Sequence, residues 1–218
     1  MSTNRNSVVF CDFDGTITSV ETFLGVLKTF SPELCSVLVP KIFAKEVTLR
    51  DGVRQILHSI PSNQFEQILT YISDKPIRSG LSSLLDFLDE KQVPFIVVSG
   101  GLRSIVETIL RREQLLDRCA SIYALDVDLS GEYLKVESKF ENGNELVAKV
   151  DVMNDYCKDG FNEKIIIGDS LTDLNISMKA DLVFARDSLC QYLKDENKSF
   201  FEWTDFNDIK MQLAQRWK

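Results

Sequence analysis

Histidine is nearly absent: the 218-residue chain has one, His58, within a helical pattern. A histidine-rich metal centre and a serine–histidine–aspartate triad are therefore without material. Cysteine occurs five times, at Cys11, Cys35, Cys119, Cys157 and Cys190, yet never as a Cys-x-x-Cys pair. A disulfide framework or a zinc site is not expected, and most of these thiols read as small buried hydrophobes. Positive charge is in deficit, 25 lysines and arginines against 33 acids, for a formal net charge of -8. Neither nucleic acid nor an anionic membrane surface is expected as a general partner, and an anionic ligand would need positive charge gathered locally. No apolar run approaches membrane-span length, and Met1 to Ser7 is polar where a secretory signal would be apolar. The expected protein is soluble and cytoplasmic, a monomer or homodimer. Its chemistry must run on carboxylates, hydroxyls and lysine.

What the chain does have is acid at the ends of apolar strands. Val8 to Cys11 is a short β-branched and aromatic run that reads as a buried strand, followed at once by Asp12, Phe13, Asp14, Gly15 and Thr16. Asp12 and Asp14 would share one face of a straight strand and repel each other, which calls for a cation between them. A hard divalent ion such as Mg2+ takes few protein oxygens and leaves room for water and phosphate. The plainer alternative is an acidic loop that caps a helix.

The length suits one α/β domain with a sizeable insertion, or two small domains. From Glu21 to Lys75 apolar residues recur at three- and four-residue spacing: Phe23, Leu24 and Leu27; Leu34, Val37 and Leu38; Val53, Ile56 and Leu57; Phe65, Ile68, Leu69 and Ile72. Pro32, Pro40 and Pro61 punctuate them, which predicts four helices with no strand between. Such a unit directly behind the first strand breaks the alternation of strand and helix, so it reads as a cap over the strand ends. Ser79 to Glu90 is a helix returning to the core.

Val93 to Val98 is the second strand and runs into Ser99, Gly100 and Gly101 before a helix through Val106, Ile109 and Leu110. The Ser99 hydroxyl and the amides at that helix start form an anion site, or Ser99 simply caps the helix. A third strand, Ser121 to Leu125, leads to a hairpin turning at Ser130-Gly131, and a helix from Glu145 to Cys157 carries Lys149 in its first turns. Lys164 to Ile167 is a fourth apolar strand, ending in Gly168, Asp169, Ser170, Leu171, Thr172 and Asp173. Asp169 completes a cation site or caps the next helix, and Asp173, one turn on, faces back to the same centre. Leu182 to Ala185 is a fifth strand, and helices at Ser188 to Glu196 and Asp205 to Trp217 close the chain.

Asp-Phe-Asp-Gly-Thr behind a hydrophobic strand resembles the first motif of the haloacid dehalogenase superfamily. Ser99 resembles its second motif, Lys149 its third and Gly-Asp-Ser-Leu-Thr-Asp its fourth, so the resemblance spans the chain. It implies an α/β Rossmannoid with a parallel sheet in order 3-2-1-4-5, right-handed crossovers and helices on both faces. The implied core comprises residues 1–17 and 76–218, with a helical C1-type cap at 18–75. It further implies a phosphatase acting on a small phosphorylated metabolite, with Asp12 as nucleophile and Asp14 as general acid and base. Mg2+ would be held by Asp12, Asp14 (through its backbone carbonyl) and Asp169. Lys149, Ser99 and Gly100 would hold phosphate, supported by Thr16 and Asp173.

Two families of the superfamily share this cap. Glu21 and Arg54 match the ammonium- and carboxylate-binding residues of phosphoserine phosphatases, and both also read as ordinary helix-surface charges. The fourth motif departs from the Gly-Asp-Gly-Ala-Asn-Asp usual there. Cys11 before Asp12, the stretch Asp181 to Leu189, and Asp205-Phe206 instead resemble the 2-hydroxy-3-keto-5-methylthiopentenyl-1-phosphate phosphatases of methionine salvage. The resemblance favours that descent, with a substrate that could have shifted toward one bearing an amine and a carboxylate. A receiver-like or non-catalytic phospho-ligand-binding protein is the alternative from another class.

Overall fold

The computed structural model describes residues 6–158 and 160–218; the first five residues of the polar N-terminal stretch lie outside it. β1 (Ser7–Cys11) is buried at every position and pairs in parallel with β2 (Phe95–Leu102) on one side and β5 (Glu163–Gly168) on the other. An unbroken apolar run suits a strand covered on both faces. β3 (Ser121–Asp128) extends the sheet beyond β2, and β6 (Leu182–Ala185) beyond β5. These five parallel strands follow the predicted order. Each edge carries one strand more than the motif reading gave: β4 (Lys135–Glu137), antiparallel to β3, and β7 (Phe201–Glu202), parallel to β6.

Between β1 and β2 lie α1 (Thr22–Phe30), α2 (Pro32–Phe43), α3 (Leu49–Leu57), α4 (Phe65–Ile72) and α5 (Leu81–Glu90). The first four match the predicted helical run. Pro40 sits inside α2 rather than between helices. The bond it forfeits belongs to the carbonyl of Ser36, which is exposed and can be hydrated. The chain leaves for this unit and returns from it along one paired seam. Thr18 bridges Ile77, the Ser19 amide donates to the Pro76 carbonyl at 3.0 Å, and the Arg78 amide donates to Ile17 at 2.8 Å.

Three predicted boundaries move. β2 continues through Ser99, Gly100 and Gly101 to Leu102, and α6 (Arg103–Arg112) begins only there, so the two glycines are strand residues and not a helix start. The hairpin from β3 to β4 has a wider loop than a tight turn at Ser130-Gly131. The backbone of 132–134 is engaged elsewhere, Tyr133 bridging Pro61, Glu132 accepting from Ser62 and Leu134 donating to Ile60. α7 (Lys149–Tyr156) starts four residues later than Glu145, because Glu145 closes a turn with Asn142 and the Ala148 amide donates to Phe140 at 2.7 Å. α8 (Leu174–Lys179), α9 (Asp187–Asp195) and α10 (Phe206–Arg216) complete the chain. Among the described residues no helix is long and apolar enough to cross a membrane.

Candidate active site

Parallel strands present their carboxyl ends on one side, and the reversal of order around β1 opens a crevice there. Asp12 follows β1, its amide still in the ladder with the Ile167 carbonyl at 2.9 Å. Ser99 lies near the end of β2, and Asp169 follows β5. Asp12, Asp169 and Asp173 offer carboxylate oxygens all within 4.8 Å of one another, and each residue is buried.

Lys149 is the cation among them. Its Nζ lies 2.5 Å from Asp12 Oδ1 and 2.7 Å from Asp173 Oδ1, with 4 % of the residue exposed. A lysine at the first position of a helix opposes the helix dipole; its two carboxylate partners offset that conflict. Burial alone would push its ammonium down, but Asp12 and Asp173 raise it, so it stays charged. Asp173 Oδ2 accepts from the amides of Asp169 at 3.1 Å and Ser170 at 3.3 Å, which fixes the turn after β5. That fold-back needs Gly168: a Cβ there would stand 2.6 Å from Asp173 Cγ. Ser170 and Asp173 also form a capping box, so the helix-cap reading of this segment holds beside the site reading.

The segment Phe13–Ile17 after Asp12 is a tight turn, with Gly15 at φ 79°. A side chain at Gly15 would be strained by that φ and would meet Asp169 Oδ2 at 2.5 Å. Thr16 Oγ1 donates to Asp169 Oδ1 at 2.8 Å, tying this turn to the one after β5. The turn carries Asp14 off the strand line, so the two acids of the opening pair do not share a face. Asp14 Oδ1 accepts from the Thr22 hydroxyl and, at 3.0 Å, from the Phe23 amide. Its Oδ2 lies toward Gly101, whose missing side chain would touch both that oxygen and Ser99 Oγ. Ser99 Oγ accepts from the Gly101 amide at 3.0 Å, and Gly100 is exposed with open space beside it.

The crevice is overloaded with negative charge. Burial first, then Asp173, raises the Asp12 carboxyl well above its ordinary range, Lys149 opposing. Asp169 is pushed up to about 6 by burial and then by Asp173. Burial raises Asp14 as well, against the bonds from Thr22 and Phe23. Glu21 is pushed up to about 7 by burial and by the charges of Asp14, Asp169 and Asp173. Five acids facing one lysine suit a hard divalent cation with oxygen ligands.

Of the predicted residues, the structure brings Asp12, Asp14, Thr16, Ser99, Lys149, Asp169 and Asp173 together, with Glu21 at the rim beside Gly15. Arg54 is engaged elsewhere: its guanidinium donates two hydrogen bonds to Glu141, at 3.0 and 2.5 Å. Thr22, whose hydroxyl holds Asp14, was not singled out by the sequence reading; a threonine at a helix start carries no signal beyond capping.

Fold and crevice together define a phosphatase of the haloacid dehalogenase type. Residues 53–189 match the family described as "Pyrimidine 5'-nucleotidase (UMPH-1)", a match that begins beyond Asp12 and Asp14. Over 211 residues, 97% of this chain and 99% of the relative, it is 49% identical to a 2-hydroxy-3-keto-5-methylthiopentenyl-1-phosphate phosphatase of Microcystis aeruginosa. It is 32% identical, over 94% of each chain, to the protein of the same description in Bacillus cereus (strain AH820). Among solved structures, a phospho-aspartyl intermediate analogue of phosphoserine phosphatase overlays with a TM-score of 0.71 at 19% identity, covering 95% of this chain and 99% of that one. The chain belongs to the haloacid dehalogenase-type phosphatase family that its full-length relatives share.

Proposed function

We propose that this phosphatase hydrolyses 2-hydroxy-3-keto-5-methylthiopentenyl-1-phosphate. The observation that carries the substrate is the 49% identity over 97% of the chain. The nucleotidase description rests on a match that omits β1, so it weighs less on substrate. The phosphoserine alternative needs both a carboxylate and an ammonium partner, and its arginine is already bonded to Glu141.

Asp12 attacks phosphorus in line, forming an aspartyl phosphate while the ester C–O–P bond to phosphorus breaks. Asp14, whose carboxyl burial raises above its ordinary range, gives a proton to the departing alkoxide. Asp14 then takes a proton from water, which attacks the same phosphorus and releases inorganic phosphate with Asp12 restored. Lys149 offsets charge on the phosphoryl oxygens, and the Ser99 hydroxyl and Gly100 amide orient them. Mg2+, held by Asp12, Asp169 and the Asp14 backbone carbonyl, would supply the charge neutralisation that lets a carboxylate approach a phosphate. Residues 18–75 form the cap, which excludes water during the first step.

Phosphate release should be measured on the hydroxyketone phosphate, phosphoserine and uridine monophosphate with Mg2+. The first is expected to give the highest kcat/KM; a preference for either of the others would replace the substrate named here.

Metal binding should be visible without turnover. In chelator, Asp12 and Asp169 have folded values above their unfolded ones of about 3.9. The stability they contribute is present below about pH 4 and is lost as pH rises through about 6 for Asp169. Mg2+ must displace protons to bind, so its increase in melting temperature is expected to be larger at about pH 7.5 than at about pH 5. Equal shifts at both would mean that the ion binds elsewhere.

A further inference from the structure

Arg78 stands just where the chain re-enters the core, and its side chain turns back under the catalytic turn. Nη2 donates to the Gly15 carbonyl at 2.7 Å and Nε to the Thr16 carbonyl at 3.2 Å. A planar guanidinium can bind two successive carbonyls in one fixed orientation, which an ammonium cannot. The guanidinium also lies 5.5 Å from the centroid of Trp203, a buried ring outside the catalytic segments. The same indole faces a second guanidinium, that of Arg186, at 5.1 Å. Arg186 in turn is tied by its amide to the Gly168 carbonyl at 3.2 Å and by Nη1 to the Thr204 carbonyl at 3.0 Å. The Arg186 charge is answered by Asp187, whose Oδ2 lies 2.8 Å from its Nε. The Arg78 guanidinium holds backbone next to an acid of the crevice, at Gly15 and Thr16, whereas at Gly168 the bond comes from the backbone amide of Arg186 and not from its charge.

We propose that Arg78, braced on Trp203, is a positioning residue that fixes the turn between Asp14 and Thr16 and thereby holds Asp169 in place for the cation and Asp14 in place for proton transfer. It touches no substrate atom in this scheme. Its influence on Asp169 runs through Thr16, whose hydroxyl bonds Asp169 Oδ1 at 2.8 Å, and its influence on Asp14 through the adjoining Gly15 carbonyl that it holds. Because its own amide bonds Ile17 at 2.8 Å on the seam between cap and core, the residue that steadies the turn also sits where the cap is anchored.

The inference rests on the crevice being the phosphatase site, and its test reads both turnover and ion binding. Arg78→Ala is expected to lower kcat by about tenfold to a hundredfold, the usual loss when support behind a metal ligand is removed, and to raise the Mg2+ concentration for half-maximal activation. KM for the ester should change by less than about threefold, since the residue makes no substrate contact. Free guanidinium should restore part of the loss, and Arg78→Lys should fall between wild type and Arg78→Ala. The Mg2+-induced rise in melting temperature should weaken in parallel, a readout that does not depend on turnover. Arg118→Ala, which removes a surface arginine paired with Asp86 and Asp89, is the matched control and should leave both readouts unchanged. Should Arg78→Ala fail to fold, Arg78→Lys and Trp203→Leu carry the test with the same signature. Wild-type kcat and wild-type Mg2+ dependence in those folded variants would overturn the proposal. A wild-type protein inactive on every ester, yet with an Mg2+ shift weakened in the variants, would instead overturn the phosphatase reading and leave Arg78 supported.

Discussion

Asp12→Asn is expected to abolish turnover without weakening the protein. The amide has nearly the shape of the carboxylate but cannot form the covalent bond to phosphorus, so kcat should fall by at least about 10⁴-fold, or about 5 kcal/mol in the barrier. Stability should move the other way. In the ion-free protein Asp12 is desolvated and faces Asp173 and Asp169, and its replacement removes one of three mutually repelling charges. Lys149 keeps its bond to Asp173 at 2.7 Å. The melting temperature in chelator is thus expected to be unchanged or higher, while the Mg2+-induced increase shrinks. Retention of more than about 1% of wild-type kcat would place the nucleophile elsewhere.

The second large effect is expected at Lys149, with the opposite signature in stability. Lys149→Met keeps the stem volume and deletes the ammonium, leaving Asp12 and Asp173 buried without their cation. Breaking one side of a buried pair costs about 3–5 kcal/mol. The variant should therefore unfold at markedly lower urea concentration in chelator. The pH dependence follows from linkage: Asp12 is already raised by burial and in the variant loses the opposing ammonium, so its contribution is complete below about pH 4 and lost as pH rises. The deficit should be larger at about pH 8 than at about pH 5, and a deficit independent of pH would mean that lost packing rather than charge explains it. Turnover should fall by about 10²–10³-fold, as when a preorganised donor at a developing charge is removed.

These two residues also mark what the sequence made legible and what it did not. Asp12, Ser99 and Asp169 could be read because each ends an apolar run, and an acid or hydroxyl at such a place has few structural uses. Lys149 could be read only through its distance from the Gly-Asp motif, since a lysine at a helix start has no signal of its own and its partners lie 137 and 24 residues away. Arg54 was legible as a charge on a helix but not as the partner of Glu141, 87 residues on, because nothing in periodicity encodes a pairing at that range. Arg78 gave no sign at all: its work is done on backbone carbonyls, which every residue possesses. The boundaries that moved share a cause, long-range backbone bonds. β2 runs on through its glycines because Leu102 still pairs with Leu125, and α7 starts late because Ala148 is held by Phe140.

The central place of β1 has a consequence for how the enzyme is made. Its neighbours, β2 and β5, begin at Phe95 and Glu163, so β1 gains its second flanking strand only after residue 163 has been made. A nascent chain halted before residue 163 has already produced α1 to α4 and β2, yet β1 still lacks the strand on its other side. Pairings of such long sequence separation form slowly, and the exposed apolar segment Val8–Cys11 must be kept from other chains in the interval. A chain halted there also lacks Asp169 and Asp173, so the crevice is complete only once β5, paired to a strand synthesised some 150 residues earlier, and the turn after it have been added.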